Sequence, residues 1–229
     1  MTTILNNLQA VHARIRAACR AAGRADAEVR LLAVSKTWPA ACVREAAGAG
    51  QRAFGENYVQ EALAKMAGLA DLDLEWHFIG PLQSNKTRPV AESFAWVHSI
   101  DRFKIAERLS AQRPLHLPPL NVCIEVNVSG EISKSGCPPE AAAELAHAVA
   151  ALPSLRLRGL MAIPAPCADP TLARRPFARL RALLEQINGT GLRLDTLSMG
   201  MSHDLEAAIM EGATLVRVGT AIFGERIAT

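Results

Sequence analysis

Two cations stand where an aliphatic chain is expected. Lys36 ends the run Leu31-Leu32-Ala33-Val34-Ser35, and Arg217 interrupts Leu215-Val216-Arg217-Val218. A strand buried on both faces reads as continuous aliphatic residues, so each cation either escapes to solvent or is kept for a purpose. A lysine amine enclosed by apolar groups loses part of its proton and can attack an aldehyde. A lysine that reaches past the strand end into water does neither, and the segment alone fits both. Arg217 shares strand parity with Leu215, so the two point the same way. A buried guanidinium needs an acceptor from a ligand or a carboxylate, and Glu125, in another aliphatic run, is the candidate within the protein.

The elements that would position these residues alternate along the chain. An opening helix is predicted over 3–22, then a strand ending at Lys36, then strands at 52–55, 76–80, 96–100, 120–128, 157–163, 196–198 and 215–218. Helical patterns follow them at 39–50, 56–68, 82–92, 101–112 with Asp101 as N-cap, 138–151, 171–188 and 202–211, and a short segment closes the chain. Eight such units in 229 residues predict a (β/α)8 TIM barrel with an extra N-terminal helix, as one domain over 1–229. A doubly wound open sheet is the alternative, but no Gly-x-Gly-x-x-Gly follows the first strand.

Chemistry in such barrels sits at the carboxyl ends of the strands, and phosphate is often held by the loops after strands seven and eight. The sequence places Lys36, Asn57, Asn127, and Met161 with Pro164 at that mouth. Ser198 and Gly200 precede a helix starting at Ser202, and Gly219 and Thr220 follow Arg217. Glycines, hydroxyls and a helix start make an anion cradle, because backbone N–H groups there lack partners. A tight loop closing the barrel would use the same glycines. Strand-end lysine, cradle and inward arginine together fit pyridoxal 5'-phosphate: imine formation, phosphate binding and a contact to the ring nitrogen.

The segments Leu32-Ala33-Val34-Ser35-Lys36-Thr37, Phe54-Gly55-Glu56-Asn57-Tyr58-Val59-Gln60-Glu61, Trp76-His77-Phe78-Ile79-Gly80-Pro81-Leu82-Gln83-Ser84-Asn85-Lys86, Arg158-Gly159-Leu160-Met161-Ala162-Ile163-Pro164, Leu197-Ser198-Met199-Gly200-Met201-Ser202 and Val216-Arg217-Val218-Gly219-Thr220-Ala221-Ile222-Phe223-Gly224 resemble, in this order, the pyridoxal-phosphate homeostasis protein family, a relative of the alanine racemase barrel. The resemblance implies the cofactor as a Schiff base on Lys36, phosphate contacts from Ser198, Gly200, Met201, Gly219 and Thr220, and Arg217 at the pyridine nitrogen. Asn57 and Met161 complete the expected cofactor-binding set. It also implies a role in storing or delivering the cofactor to dependent apoenzymes, without established turnover. Cys137 and Pro138 depart from the more usual aliphatic pair, at a helix start away from the cofactor.

A racemase-like enzyme is the alternative function. Racemisation wants an acid or base on each face of the bound substrate, whereas the chain has a single tyrosine, Tyr58, and none of the second β domain that supplies the tyrosine in alanine racemases. An arginine against the ring nitrogen also weakens the electron sink by disfavouring its protonation. A cofactor-free lysine aldolase would need proton-relay acids, for which only Glu125 is placed. Lys86 and Lys134 read as solvated, with a second docking amine as the sharper option. Of Trp76 and His77 one faces inward, as core packing, and the Arg174-Arg175 and Arg179 to Arg181 faces read as solvated.

The remaining composition excludes more than it suggests. A balance of 25 Lys+Arg against 22 Asp+Glu is too even for a nucleic-acid surface. No apolar run has the length of a bilayer span. Five scattered cysteines fit reduced thiols in the cytoplasm, and six scattered histidines suggest no metal. The acid-poor, arginine-bearing N-terminus superficially resembles a transit peptide, but Leu5, Leu8, Ile15 and Cys19 at helical spacing predict a docked helix. A monomer is expected.

Overall fold

Parallel strands buried on both faces leave their helices no place but the outside, and the chain closes on itself accordingly. The computed structural model describes residues 3–131, 134–165, 167 and 169–225. Ile132 and Ser133 of the predicted 129–136 loop, and the last four residues of the terminal segment, lie outside them. The order is α1 (Ile4–Ala21), β1 (Arg30–Val34), α2 (Ala40–Gly48), β2 (Ala53–Glu56), α3 (Val59–Gly68), β3 (Glu75–Phe78), α4 (Thr87–Ser93), β4 (Trp96–Ile100) and α5 (Phe103–Gln112). It continues with β5 (Leu120–Glu125), α6 (Ala142–Ala150), β6 (Leu155–Met161), α7 (Pro170–Asn188), β7 (Thr196–Ser198), α8 (Leu205–Met210), β8 (Leu215–Val218) and α9 (Thr220–Phe223). The strands pair in sequence order, all parallel, and β1 pairs with β8, so the sheet is a closed barrel of eight strands among the described residues. The TIM-barrel expectation holds.

Several local expectations do not: the fifth strand ends at Glu125 and not at 128, the sixth runs over Leu155–Met161 and not 157–163, and the helix predicted over 82–92 is Thr87–Ser93. β1 stops at Val34, so Lys36 sits in a turn past the strand. Asp101 does not cap α5; its carboxylate accepts from Arg102, which occupies the N-cap position. α8 begins at Leu205 and is six residues long, so Ser202 lies in a turn before it. Each of these last three differences has a local cause in which a side chain or turn takes the hydrogen bonds that a longer element would have used.

The large apolar core lies between the strands and the outer helices. Inside the barrel, apolar packing is limited to two small groups: Leu32, Val34, Ala53, Ile79 and Leu215, and Trp96, Cys123 and Met161. α1 docks through Leu8, Val11, Ile15, Ala18 and Cys19, while Leu5 remains 45% exposed, against the predicted stripe. Its polar side reaches the loops at the barrel mouth: Arg14 donates to the Ser202 carbonyl and pairs with Glu206, and Asn7 donates to the Ile222 carbonyl. No helix among the described residues is long and apolar enough to cross a membrane.

Candidate functional site

The turn after β1 is held from outside the barrel. Lys65 of α3 is 6% exposed and donates to the Ser35 carbonyl at 2.6 Å, with Glu56 Oε1 at 2.7 Å and Glu61 Oε1 at 2.6 Å. Ser35 Oγ donates to the same Glu56 oxygen at 2.6 Å, and the Thr37 amide donates to Glu61 Oε1 at 2.6 Å. Thr37 has φ of 68°, a left-handed conformation that a β-branched residue adopts only when its surroundings impose it. One buried lysine and two carboxylates therefore fix the residues on both sides of Lys36, which is half-buried. Burial pushes the Glu56 carboxyl above its ordinary range, against the pull of Lys65 and Ser35.

The opposite wall is built from β7, β8 and their loops. A cavity of about 170 Å³ opens at the carboxyl mouth, lined by Arg217, Gly219 and Thr220 on one side and by Val34, Asn57 and Ile79 on the other. Met201, Ser202, His203 and Ile163 complete it. Of the predicted residues, Asn57, Met201, Arg217, Gly219 and Thr220 are thus brought together, and Lys36 stands two residues beyond Val34. Gly219 packs so that a Cβ would lie 3.1 Å from the Val34 carbonyl oxygen, which lets the β8 loop approach β1 closely. Gly80 does the same beneath Asn57, whose carbonyl oxygen would lie 2.5 Å from a Cβ there.

Arg217 is 3% exposed and points inward on the same side as Leu215, the shared direction that strand parity predicts. Its guanidinium donates to the Ser198 carbonyl, to Ser198 Oγ at 2.7 Å and to the Ala162 carbonyl at 2.9 Å. Among the described residues these bonds engage three of its five N–H donors, and the residue lines the cavity. The predicted partner Glu125 forms no ion pair with it among the described residues. Burial pushes the Glu125 carboxyl up to about 7, only partly offset by Arg217, and lowers Arg217 to about 10.

Other predicted residues stand elsewhere. Ser198 is fully buried beneath Arg217 and does not line the cavity; Ser202 is the serine that does. Met161 packs with Trp96 and Cys123 inside the barrel. Gly200, at φ of 92°, serves packing, because a Cβ would lie 2.6 Å from Ala208 Cβ. The Met201 amide is taken by Asp204 Oδ1 at 2.6 Å. Asn127 organises its own loop by accepting from the Gly130 amide and donating to the Glu131 carbonyl. Tyr58 is at the N-cap of α3 and 57% exposed. Lys134 donates to the carbonyl of Ile163, at the cavity rim, and pairs with Glu131. Arg174 and Arg181 are not merely solvated, since both pair with Glu211.

Sequence reasoning missed two groups. The clamp formed by Lys65, Glu56 and Glu61 left a trace in the spacing Glu61 to Lys65, an i,i+4 pair on the helix predicted over 56–68. The second is the pair His77 and His98: of Trp76 and His77 it is His77 that faces inward, as does His98 on the next strand, and both are hydrogen-bonded where core packing was expected. Their trace was Glu75 and His77 sharing one strand face.

A fit to pyridoxal 5'-phosphate can be tested on one atom. Asn57 Oδ1 is buried and has no hydrogen-bond partner among the described residues, in a residue that lines the cavity. A buried acceptor without a donor is unfavourable by about 1–3 kcal/mol, so its placement suits a ligand that donates. An orphan acceptor, a guanidinium that lines the cavity, the Ser202 and Thr220 hydroxyls and an adjacent half-buried lysine match an anionic aromatic aldehyde.

Fold and mouth together define a (β/α)8 barrel with a pocket at its carboxyl mouth, lined from the ends of β1 and β8 and the segments after β2, β3, β6, β7 and β8. The sequence matches the family described as alanine racemase, N-terminal domain, over residues 6–227. It is 68% identical to the pyridoxal phosphate homeostasis protein of Pseudomonas aeruginosa over 226 residues, covering 99% of this chain and 97% of that one. To the protein of that name from Escherichia coli K12 it is 55% identical over 232 residues, covering 99% and 98%. The structure of PipY from Synechococcus elongatus with PLP bound superposes with a TM-score of 0.85 at 38% identity, covering 97% of this chain and all of that one. The chain belongs to the alanine racemase N-terminal domain family and, within it, to the pyridoxal phosphate homeostasis proteins.

Proposed function

We propose that the chain binds pyridoxal 5'-phosphate at the barrel mouth, holds it as a Schiff base on Lys36 and takes part in keeping and delivering it inside the cell. The observation that carries this reading is the convergence on one cavity of Arg217, the Gly219-Thr220 loop and the orphan Asn57 oxygen, with the clamped Lys36 turn beside it. The high identity to proteins named for this cofactor supports it. Bound there, the ligand would supply an aldehyde and an electron-poor ring. Lys36 contributes the amine that condenses with the aldehyde, releasing water. Ser202, Gly219 and Thr220 receive the phosphate, and Arg217 offers an N–H to the ring nitrogen. Because the groups in this reading come from one chain, a monomer suffices, and the free thiols of all five cysteines accord with the cytoplasm. Dependent apoenzymes are the recipients.

The test is an absorbance spectrum of purified protein with pyridoxal 5'-phosphate, followed by borohydride reduction and mass mapping. Wild type should turn yellow and carry the reduced adduct on Lys36, and Lys36→Ala should lose both. A wild type that gains no colour refutes the reading.

A racemase-like activity draws on one observation, the buried Glu125 carboxyl held near 7, which suits proton transfer at neutral pH. Carrier function predicts no solvent deuterium exchange at the α-carbon of L-alanine. Rapid exchange, lost in Glu125→Gln, would establish the enzyme instead.

A further inference from the structure

We propose that Glu75, His77, His98 and Ser198 form a single hydrogen-bonded column that orients the Arg217 guanidinium from the opposite face of the barrel. The column crosses the interior between its two apolar groups. Glu75 opens β3 at the amino end of the barrel, half-exposed and also paired with Arg30. Its Oε1 lies 2.8 Å from His77 Nε2; His77 Nδ1 lies 2.9 Å from His98 Nε2; His98 Nδ1 lies 2.8 Å from Ser198 Oγ. Arg217 then donates to that hydroxyl at 2.7 Å. Both imidazoles and the hydroxyl are fully buried, and Trp96 stacks on His77 at 5.3 Å with its plane within 7°.

The two ends decide the direction of the chain. An arginine can only donate and an ionised carboxylate can only accept. Ser198 Oγ, receiving from Arg217, passes its own hydrogen to His98 Nδ1; His98 donates through Nε2 to His77 Nδ1; His77 donates through Nε2 to Glu75. Every donor and acceptor is satisfied when both rings are neutral Nε2–H tautomers. The charged groups around the rings are Arg30 and Glu75 at the lower end and Arg217 at the upper end. Burial disfavours the cationic form of both rings, and Glu75 is held at about 2, chiefly by its hydrogen bond to His77. The column thus gives Arg217 a fixed acceptor without placing a carboxylate beside it. Its service to a bound ligand rests on the proposed function above; its existence does not.

Long-range proton–nitrogen NMR of the unliganded protein reads the rings directly. Wild type should show His77 and His98 as neutral Nε2–H tautomers at pH 7. Glu75→Gln, a change at the half-exposed end, should shift both rings toward a tautomer mixture and move the Arg217 guanidinium nitrogen signals; Ser198→Ala should move those signals more. A cationic ring, opposed tautomers in wild type, or Arg217 signals unmoved by both substitutions overturns the proposal. With pyridoxal 5'-phosphate as the probe, Ser198→Ala should bind roughly tenfold more weakly and absorb at a shifted wavelength, and unchanged binding and spectrum overturn the orienting role. A wild type that binds no probe sinks the ligand reading alone, since the NMR signals still decide whether the column is assembled.

Discussion

The two walls of the mouth are held by different physics. On the β1–β2 side a buried lysine is gripped by two carboxylates, and the reward of that ion cluster is a rigid turn that keeps Thr37 in a left-handed conformation. On the β7–β8 side a buried arginine is gripped, among the described residues, by neutral groups, a hydroxyl and two carbonyls. A carboxylate within ion-pair reach would neutralise Arg217, so the wall that must present positive charge to an anion avoids one. Glu125, the carboxylate that acts most strongly on Arg217, is biased by burial toward its neutral form. The wall that must only hold a backbone still can use opposite charges freely.

The largest break in this contrast should come from Lys65→Met. It leaves Glu56 buried without its partner, and chemical denaturation should show a loss of about 3–5 kcal/mol. Adding Glu56→Gln should recover much of it, whereas no recovery would mean that the lysine stem, not the charge, matters.

Next in size is a pH effect on the arginine side. Below about pH 4.5, the ordinary value for Glu125, folded and unfolded chains both carry it neutral. Between there and about 7 only the unfolded chain ionises, so stability falls as pH rises and levels off above 7. The drop is on the order of 3 kcal/mol at most. Denaturation curves of wild type and Glu125→Gln across this range should converge at low pH and separate at neutral pH, the variant being the more stable; parallel curves would place Glu125 in water.

Gly80→Ala should cost about 1–3 kcal/mol, because its Cβ meets backbone and not a yielding side chain. It should also weaken pyridoxal 5'-phosphate binding by displacing Asn57, which a fluorescence titration reads. Smallest is Thr37→Gly. Relief of the left-handed conformation, about 1–2 kcal/mol, is offset by the freer unfolded chain at about 0.4–1 kcal/mol. Stability should stay within about 1 kcal/mol, and hydrogen exchange at the backbone amide of position 37, which donates to Glu61, should stay slow if the clamp sets the turn; quickened exchange would assign the turn to the threonine itself.

The barrel was legible because eight aliphatic runs alternate with helical spacing, and strands four, seven and eight match their predicted limits, 96–100, 196–198 and 215–218. That Arg217 points the same way as Leu215 was legible from strand parity alone. Where Ser198 sits was not legible: it has the right residue type at the right strand end, but its buried hydroxyl bonds His98 and Arg217, while Ser202, four residues on, lines the cavity. The same holds for Met161, which packs with Trp96 and Cys123, since a strand end brings a side chain near the mouth without deciding whether it packs inward.

The sequence by itself determined the order of elements, the closure they imply and which rare polar residues interrupt the aliphatic strands. Those follow from periodicity and from the energy of burying charge, both local properties. Only the tertiary structure decided which of those residues meet. Glu75, His77, His98, Ser198 and Arg217 come from four strands, and their hydrogen bonds exist only because barrel closure brings β7 and β8 across the axis from β3 and β4, a juxtaposition that spacing along the chain does not encode.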